Sequence, residues 1–241
     1  MNIRNLTAPN PGPLTLSGTN TWLLGETAVI DPGPEIESHI EAIRSAMPRL
    51  GTIFITHRHA DHAPAALPLQ RMTGAKIIAP RNVLDRVDVL VSGGESFDVD
   101  GERIEVIATP GHTNEHVCFL TASGDLFTGD TILGSGTTAI FPPDGHMGDY
   151  IHSLRVLRAR EPKRIYPAHG PMRDDAVALI DEYIAHRLER ERQVLDAIAR
   201  GDTTAEEMRR RIYPDLDPRL HKPAEIQIEA HLIKLRQEGR A

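Results

Sequence analysis

Thr52-Ile53-Phe54-Ile55-Thr56-His57-Arg58-His59-Ala60-Asp61-His62 joins an apolar run to a loop in which three histidines and an aspartate crowd seven residues. The run Thr52 to Ile55 is β-branched and aromatic, the text of a buried strand. Imidazole nitrogens and a carboxylate suit zinc, and the alternation of His57 and His59 sends both rings to one side of an extended loop, leaving Asp61 and His62 for a second position. A capping or core role would explain one such histidine. It does not explain recurrence: His112 in Thr109-Pro110-Gly111-His112-Thr113, Asp130 in Phe127-Thr128-Gly129-Asp130-Thr131 and His169 in Tyr166-Pro167-Ala168-His169-Gly170 each follow a strand-like run beside Gly or Pro, which let the backbone turn sharply at a sheet edge.

Outward from this loop, residues 1 to about 171 alternate short apolar runs with Gly/Pro turns, the pattern of a mixed α/β domain. Strands are expected at Thr21–Leu24, Thr27–Ile30, Thr52–Thr56, Lys76–Ala79, Arg103–Ala108, His116–Thr121, Asp125–Phe127 and Arg164–Tyr166. Helices are expected at Glu35–Met47 and Asp149–Arg160. After Pro171 the text turns to long, charged helical stretches, with Val177, Ile180, Ile184, Leu188, Leu195 and Ile198 on one stripe. Thr203 or Thr204 is placed to cap a short helix through Tyr213, and a proline-punctuated loop, Pro214 to Pro223, precedes a last helix at Ala224–Glu238. Three helices in this order suit a helix-turn-helix or a winged-helix bundle, the wing being absent or cut off at Ala241. The division predicted is 1–172 and 173–241.

A chain of 241 residues, 40% hydrophobic, is enough for one sizeable core and a small appendage. A formal net charge of -7 excludes a strongly basic nucleic-acid module for the whole chain. The terminal unit itself carries 13 Lys/Arg against 15 Asp/Glu, which argues against a DNA reader, so packing on the catalytic domain, dimerisation or roofing a substrate groove are better uses of its stripe. One cysteine, Cys118, permits no intrachain disulfide and reads as a small buried hydrophobe. No apolar run approaches the ~20 residues of a membrane span, and the start MNIRNLTAPN lacks an export signal, so no membrane partner and a cytoplasmic location are expected.

The set HRHADH, PGHT, FTGD and PAHG resembles the metallo-β-lactamase fold superfamily. The resemblance implies an αββα sandwich over 1–172 with two zinc ions, or other divalent metals, at one edge. It implies that His57, His59 and His112 hold the first ion, Asp61, His62 and His169 the second, and that Asp130 bridges them, with Asp61 orienting a bridging hydroxide that attacks the substrate. With Asn10-Pro11-Gly12-Pro13, Gly18-Thr19-Asn20-Thr21, the stretch Gly129 to Thr138 and the terminal helices, the chain resembles the β-lactamase-like protein 2 group, which pairs this domain with a small all-helical, winged-helix-like one and whose animal member is an endoribonuclease. Single-stranded RNA is therefore the first expected substrate. The alternative is a small acyl compound: a thioester, lactone or β-lactam. Diiron oxidoreductases of the superfamily replace the second histidine of the loop with glutamate, and His59 is present.

The loops Ser17–Asn20 and Gly134–Ala139 are expected to border the pocket, with Asn20, Ser135, Thr137 and Thr138 as hydrogen-bond donors to substrate. His146 and Tyr150 are candidate acids for the leaving group. His116, near the PGHT motif, is expected to support a ligand rather than be one. His39, His152, His186, His221 and His231 read as surface or satisfied histidines.

Overall fold

In the computed structural model, which describes residues 1–241, two sheets stack face to face with helices on both outer sides. The first sheet runs in the order β1 (Ile3–Thr7), β2 (Asn20–Leu24), β3 (Ala28–Ile30), β4 (Thr52–Phe54), β5 (Lys76–Ala79), β6 (Val89–Leu90). Its pairs are antiparallel up to β3 and parallel from β3 onward. Parallel neighbours need a crossover, supplied by α1 (Glu37–Ala46) between β3 and β4 and α2 (Ala66–Thr73) between β4 and β5. The second sheet has the order β11 (Arg164–Pro167), β10 (Asp125–Gly129), β9 (Val117–Thr121), β8 (Glu102–Ala108), β7 (Ser96–Val99), antiparallel except for the β10–β11 pair.

Three buried layers follow from the alternation of strand residues. Trp22, Leu24, Ile30 and Phe54 of the first sheet meet Ile104, Val106, Phe119 and Phe127 of the second, with Trp22 edge-on to Tyr166 at 5.0 Å between centroids. Outside the first sheet, Ile40, Ile43 and Met47 pack with Leu69 over Ile53 and Ile77. Outside the second, Tyr150, Leu154 and Leu157 of α3 (Met147–Ala159) cover Ile107, Cys118, Leu126 and Ile165. This is the αββα sandwich. No helix is long and apolar enough to cross a membrane.

The terminal helices are α4 (Ala176–Ala199), α5 (Ala205–Ile212) and α6 (His221–Gln237), with one 3-10 turn at Pro218–Leu220. Thr204 caps α5 in a reciprocal capping box with Glu207, as its position before the helix suggests. α6 begins three residues earlier than Ala224, because Pro223 sits in its first turn, where the missing N–H costs no helical bond. α4 spans two cores: Ala176, Leu179, Ile180 and Tyr183 join the layer under α3, whereas Val194 and Ala197 join Met208 of α5 and Ile228, Leu232 and Leu235 of α6. Packing is therefore continuous across residue 172.

That continuity makes a stability prediction. Ile180 is fully buried against the second sheet's helical layer, so Ile180→Ala should cost about 2–5 kcal/mol and lower a single unfolding transition of the whole chain in calorimetry. A separate low transition that leaves the main one in place would show that α4 is not part of the sandwich.

Candidate metal centre

Each chemical side chain is delivered by a strand end at one edge of the sandwich. β4 runs into Thr56–His62, β8 into the turn carrying His112, β10 into Asp130 and β11 into His169. Two glycines make the approaches possible. Gly111 has φ +138°, and a Cβ there would lie 2.3 Å from the Cα of Tyr150; Gly129 has φ +48°, and its Cβ would meet Thr56 Oγ1 at 2.6 Å and His116 Nε2 at 2.7 Å.

The result is two clusters. His57, His59, His112 and Asp130 form one, and Asp61, His62 and His169 the other, each with donor atoms within 4.8 Å of one another. Asp130 faces both: Oδ2 lies 3.4 Å from His112 Nε2, and Oδ1 lies 3.2 Å from His169 Nε2 and 3.5 Å from His62 Nε2. Asp61 Oδ2 stands 3.2 Å from His169 and 3.4 Å from His62.

Hydrogen bonds on the far side of each ring set which nitrogen turns inward. His112 Nδ1 donates to the Ala139 carbonyl at 2.9 Å and His62 Nδ1 to Asp31 Oδ2 at 3.0 Å. Thr56 donates its hydroxyl to Asp31 Oδ2, so it accepts from His57 Nδ1 at 3.0 Å. All three therefore turn Nε2 toward the site, bare in His57 and His112 and freed in His62 once a cation displaces its proton. His57 Nε2 and His112 Nε2 lie 2.9 and 3.0 Å from the same atom, His59 Nδ1, which can carry only one proton. The buried His62 Nε2 and Asp130 Oδ1 have no hydrogen-bond partner at all. Converging lone pairs and orphaned buried atoms are what a cation relieves, and an imidazole–carboxylate set suits a borderline divalent ion.

The electrostatics agree. Burial holds His57 and His116 well below the ordinary imidazole range, hence neutral. Burial also opposes charge on His62 and His169, yet the carboxylates beside them outweigh it: Asp130 and Asp31 hold His62 well above its usual range, and Asp130 and Asp61 push His169 up to about 9. Burial opposes charge on Asp61, yet the His169 and His62 rings 3.2 and 3.4 Å away outweigh it and keep the carboxylate ionised. Without a metal these two protonated rings neutralise the carboxylates; a bound cation would release their protons.

A cavity of about 430 Å³ opens over both clusters. Ser135, Thr137 and Thr138 line it, but Asn20 does not. Asn20 is buried on β2; its amide donates to the Pro167 and Gly170 carbonyls and accepts from Asn5 and Thr7, so the expected substrate contact is replaced by a clasp between the two sheets. The expected rim Ser17–Asn20 gives way to Pro13, Leu14 and Leu16, with Leu14 65% exposed. Thr138 spends its hydroxyl on the Asp130 and Thr131 carbonyls. Tyr150 is fully buried and donates to the Thr131 carbonyl, and His146 caps α3 and meets Gln237; neither lines the cavity.

His116 takes its supporting place, stacked on His57 with Nε2 accepting from the Asp130 amide at 3.3 Å. Two further supports were not legible as such. Asp31, fully buried with φ +50°, accepts from the Thr56 amide and hydroxyl and from His62; its only sequence signal is an aspartate closing an apolar strand. Arg187 and Gln227, on α4 and α6, grip the loop behind His112: Arg187 Nη2 donates to the Thr138 carbonyl at 2.5 Å and Gln227 pairs with both backbone groups of Ile140.

Comparison with known proteins agrees with this architecture. Residues 14–86 and 79–169 match the Metallo-beta-lactamase superfamily, and residues 204–241 match the Beta-lactamase associated winged helix domain. The Beta-lactamase-like protein 2 homolog of Caenorhabditis elegans is 35% identical over 95% of this chain and 82% of its own length. The Atrochrysone carboxyl ACP thioesterase of Aspergillus chevalieri is 33% identical over 95% of this chain and 79% of its own. A Beta-lactamase domain protein from Burkholderia ambifaria superposes with a TM-score of 0.83 at 21% identity, covering 98% of this chain and 86% of that one. Motifs, sheets and helical unit together show that the chain belongs to the metallo-beta-lactamase superfamily, as a hydrolase domain joined to a beta-lactamase-associated winged helix domain.

Proposed function

We propose that this hydrolase cleaves thioesters with apolar acyl groups. The observation that carries the reading is the cavity lining: Pro13, Leu14, Leu16, Leu133 and Phe141 surround the clusters, and neither lysine nor arginine lines it. Single-stranded RNA needs a cationic track for its backbone. Arg58, next to the ligand loop, is committed to Glu115 and Asp144 at 2.6 Å each and offers none. An acyl chain needs only the leucines. Among the relatives, three bear thioesterase names at 31–35% identity.

Two divalent cations, zinc by the ligand chemistry, held by His57, His59 and His112 on one side and Asp61, His62 and His169 on the other with Asp130 between, would lower the pKa of water and polarise the carbonyl. Asp61, part-exposed at the cavity floor with Oδ2 turned to His62 and His169, accepts the proton of the attacking water. The water oxygen bonds to the acyl carbon, the C–S bond breaks and the thiolate departs. A thiolate, with a thiol pKa of about 8.5, leaves without a proton donor. That matches a cavity from which both candidate acids, His146 and Tyr150, are absent.

Three outcomes test the reading. Asp61→Asn should lower kcat/KM on an acyl thioester by about 10²–10⁴-fold, measured by trapping the released thiol, while zinc-loaded parent protein leaves labelled single-stranded RNA intact; cleavage of the RNA that Asp61→Asn abolishes would reject the thioester in favour of the nuclease. Removing the Asp31 carboxylate with Asp31→Ala should weaken metal binding about 10–100-fold in competition with a chromogenic chelator, since His62 and Thr56 both lose their anchor. Leu16→Ser should raise KM about tenfold for a long acyl chain and far less for an acetyl thioester; equal effects on the two would remove the leucines from the acyl site.

A further inference from the structure

A second, smaller cavity of about 220 Å³ lies among α4, α5 and α6. His186, Arg187, Arg190 and His231 line it, and no carboxylate does. Thr137 lines both this cavity and the one over the metal centre, so the two adjoin across the loop Ser135–Thr137.

What is unusual here is the unspent polar chemistry. His231 is 2% exposed, yet neither ring nitrogen has a hydrogen-bond partner. Nε of Arg187, Nε of Arg190 and Nδ1 of His186 are buried and unpartnered as well. Arg187 is 2% exposed and has no acidic partner; its guanidinium meets the Thr138 carbonyl and lies over the Tyr150 ring at 5.2 Å. Arg190 meets Gln193 and the Tyr213 ring at 4.4 Å, again without a carboxylate. The one buried acid nearby, Glu191, is already neutralised by Lys234 and Arg240. Burial pushes the His231 imidazole down to about 3, so the cavity holds a neutral ring whose single N–H has no protein acceptor. Buried polar atoms without partners, and a buried guanidinium such as that of Arg187 without a counter-ion, are rare in folded proteins, and a bound oxyanion supplies both deficits at once.

We infer that this cavity binds a phosphate group carried on the thiol arm of the substrate. The inference rests on the thioester reading for the identity of the arm and on the cavity alone for the phosphate. Placed with its acyl group against Leu14 and Leu16, a thioester extends its arm along Ser135, Gly136 and Thr137, and a phosphate at the arm's end reaches the arginines and His231 beyond Thr137. One small cavity with two arginines suits one phosphate; a nucleic acid, with a charge at every residue, calls for an extended track instead.

The test uses full-length, zinc-loaded protein with histidine ring nitrogens labelled. Titration with inorganic phosphate should shift the His231 ring resonances saturably, assigned by their loss in His231→Gln, and Arg190→Gln should abolish the shift while retaining the folded spectrum. In parallel, kcat/KM should favour an acyl phosphopantetheine over the same acyl pantetheine by about tenfold or more, through KM, and the ratio should fall to near one in both variants. No ring shift together with a ratio near one in the parent would overturn the proposal. A ring shift with neither thioester hydrolysed keeps the phosphate site and overturns the thioester reading. Cleavage of single-stranded RNA that Arg190→Gln removes would overturn the assignment of the phosphate to a thioester arm.

Discussion

One buried carboxylate organises the ligand loop. Asp31 closes β3 in the left-handed region, a conformation that aspartate tolerates better than most residues, and there it accepts three hydrogen bonds from the segment after β4. A carboxyl group buried in this way is costly unless its oxygens are satisfied. Thr56 and His62 satisfy them, and in doing so both are fixed in place. Through the Thr56 hydroxyl the same group sets the tautomer of His57. Two rings in different clusters thus take their orientation from one residue that touches neither centre, and the parallel β3–β4 pairing that places Asp31 beside Thr56 becomes a requirement of the chemistry as well as of the fold.

The second sheet meets the first at this same edge. The Val117 amide donates to the Thr56 carbonyl and the Asn20 amide to the Ala168 carbonyl, each bond crossing from one sheet to the other. Glycine is required where a ring must pass: any side chain at Gly129 would occupy the space of Thr56 and His116. The seven donors converge because the strands that carry them end at one edge, not because any single loop is long enough to surround an ion.

Most of this was legible in the text because it is local. The strand cores Lys76–Ala79 and Arg103–Ala108 announce themselves by β-branched runs, and the donors by their place beside Gly or Pro just past such runs. What stayed hidden is what depends on distant partners. β1 and β7, with partly exposed, mixed faces, carry no period strong enough to name them, and α2 holds Pro68 and no capping side chain. Asn20 looked like a loop donor because Gly18-Thr19-Asn20-Thr21 reads as a turn, whereas β2 begins at Asn20 and the amide is consumed by backbone carbonyls about 150 residues away. His231 looked like an ordinary helix histidine; only packing reveals that both of its nitrogens lack partners.

The helical unit follows from the same logic of unsatisfied groups. His112 keeps the correct nitrogen inward only while the Ala139 carbonyl stays in place behind it. Within the sandwich its neighbour Thr138 donates its hydroxyl to the Asp130 and Thr131 carbonyls, and Ile140 is buried in the layer under α3. The same two neighbours are also held from the terminal unit, Thr138 by Arg187 and Ile140 by Gln227, that is, by α4 and α6. Tyr183 of α4 accepts from the Leu133 amide and donates to the Gly136 carbonyl, fixing the start of the same loop. A charge balance of the terminal unit that argues against DNA reading is thus compatible with a different task, because many of its acidic and basic residues are paired on the solvent side while Arg187 and Arg190, without acidic partners, line the cavity beside the loop. The helices brace His112 from behind and, through Arg187, also line the cavity next to the histidine–aspartate clusters.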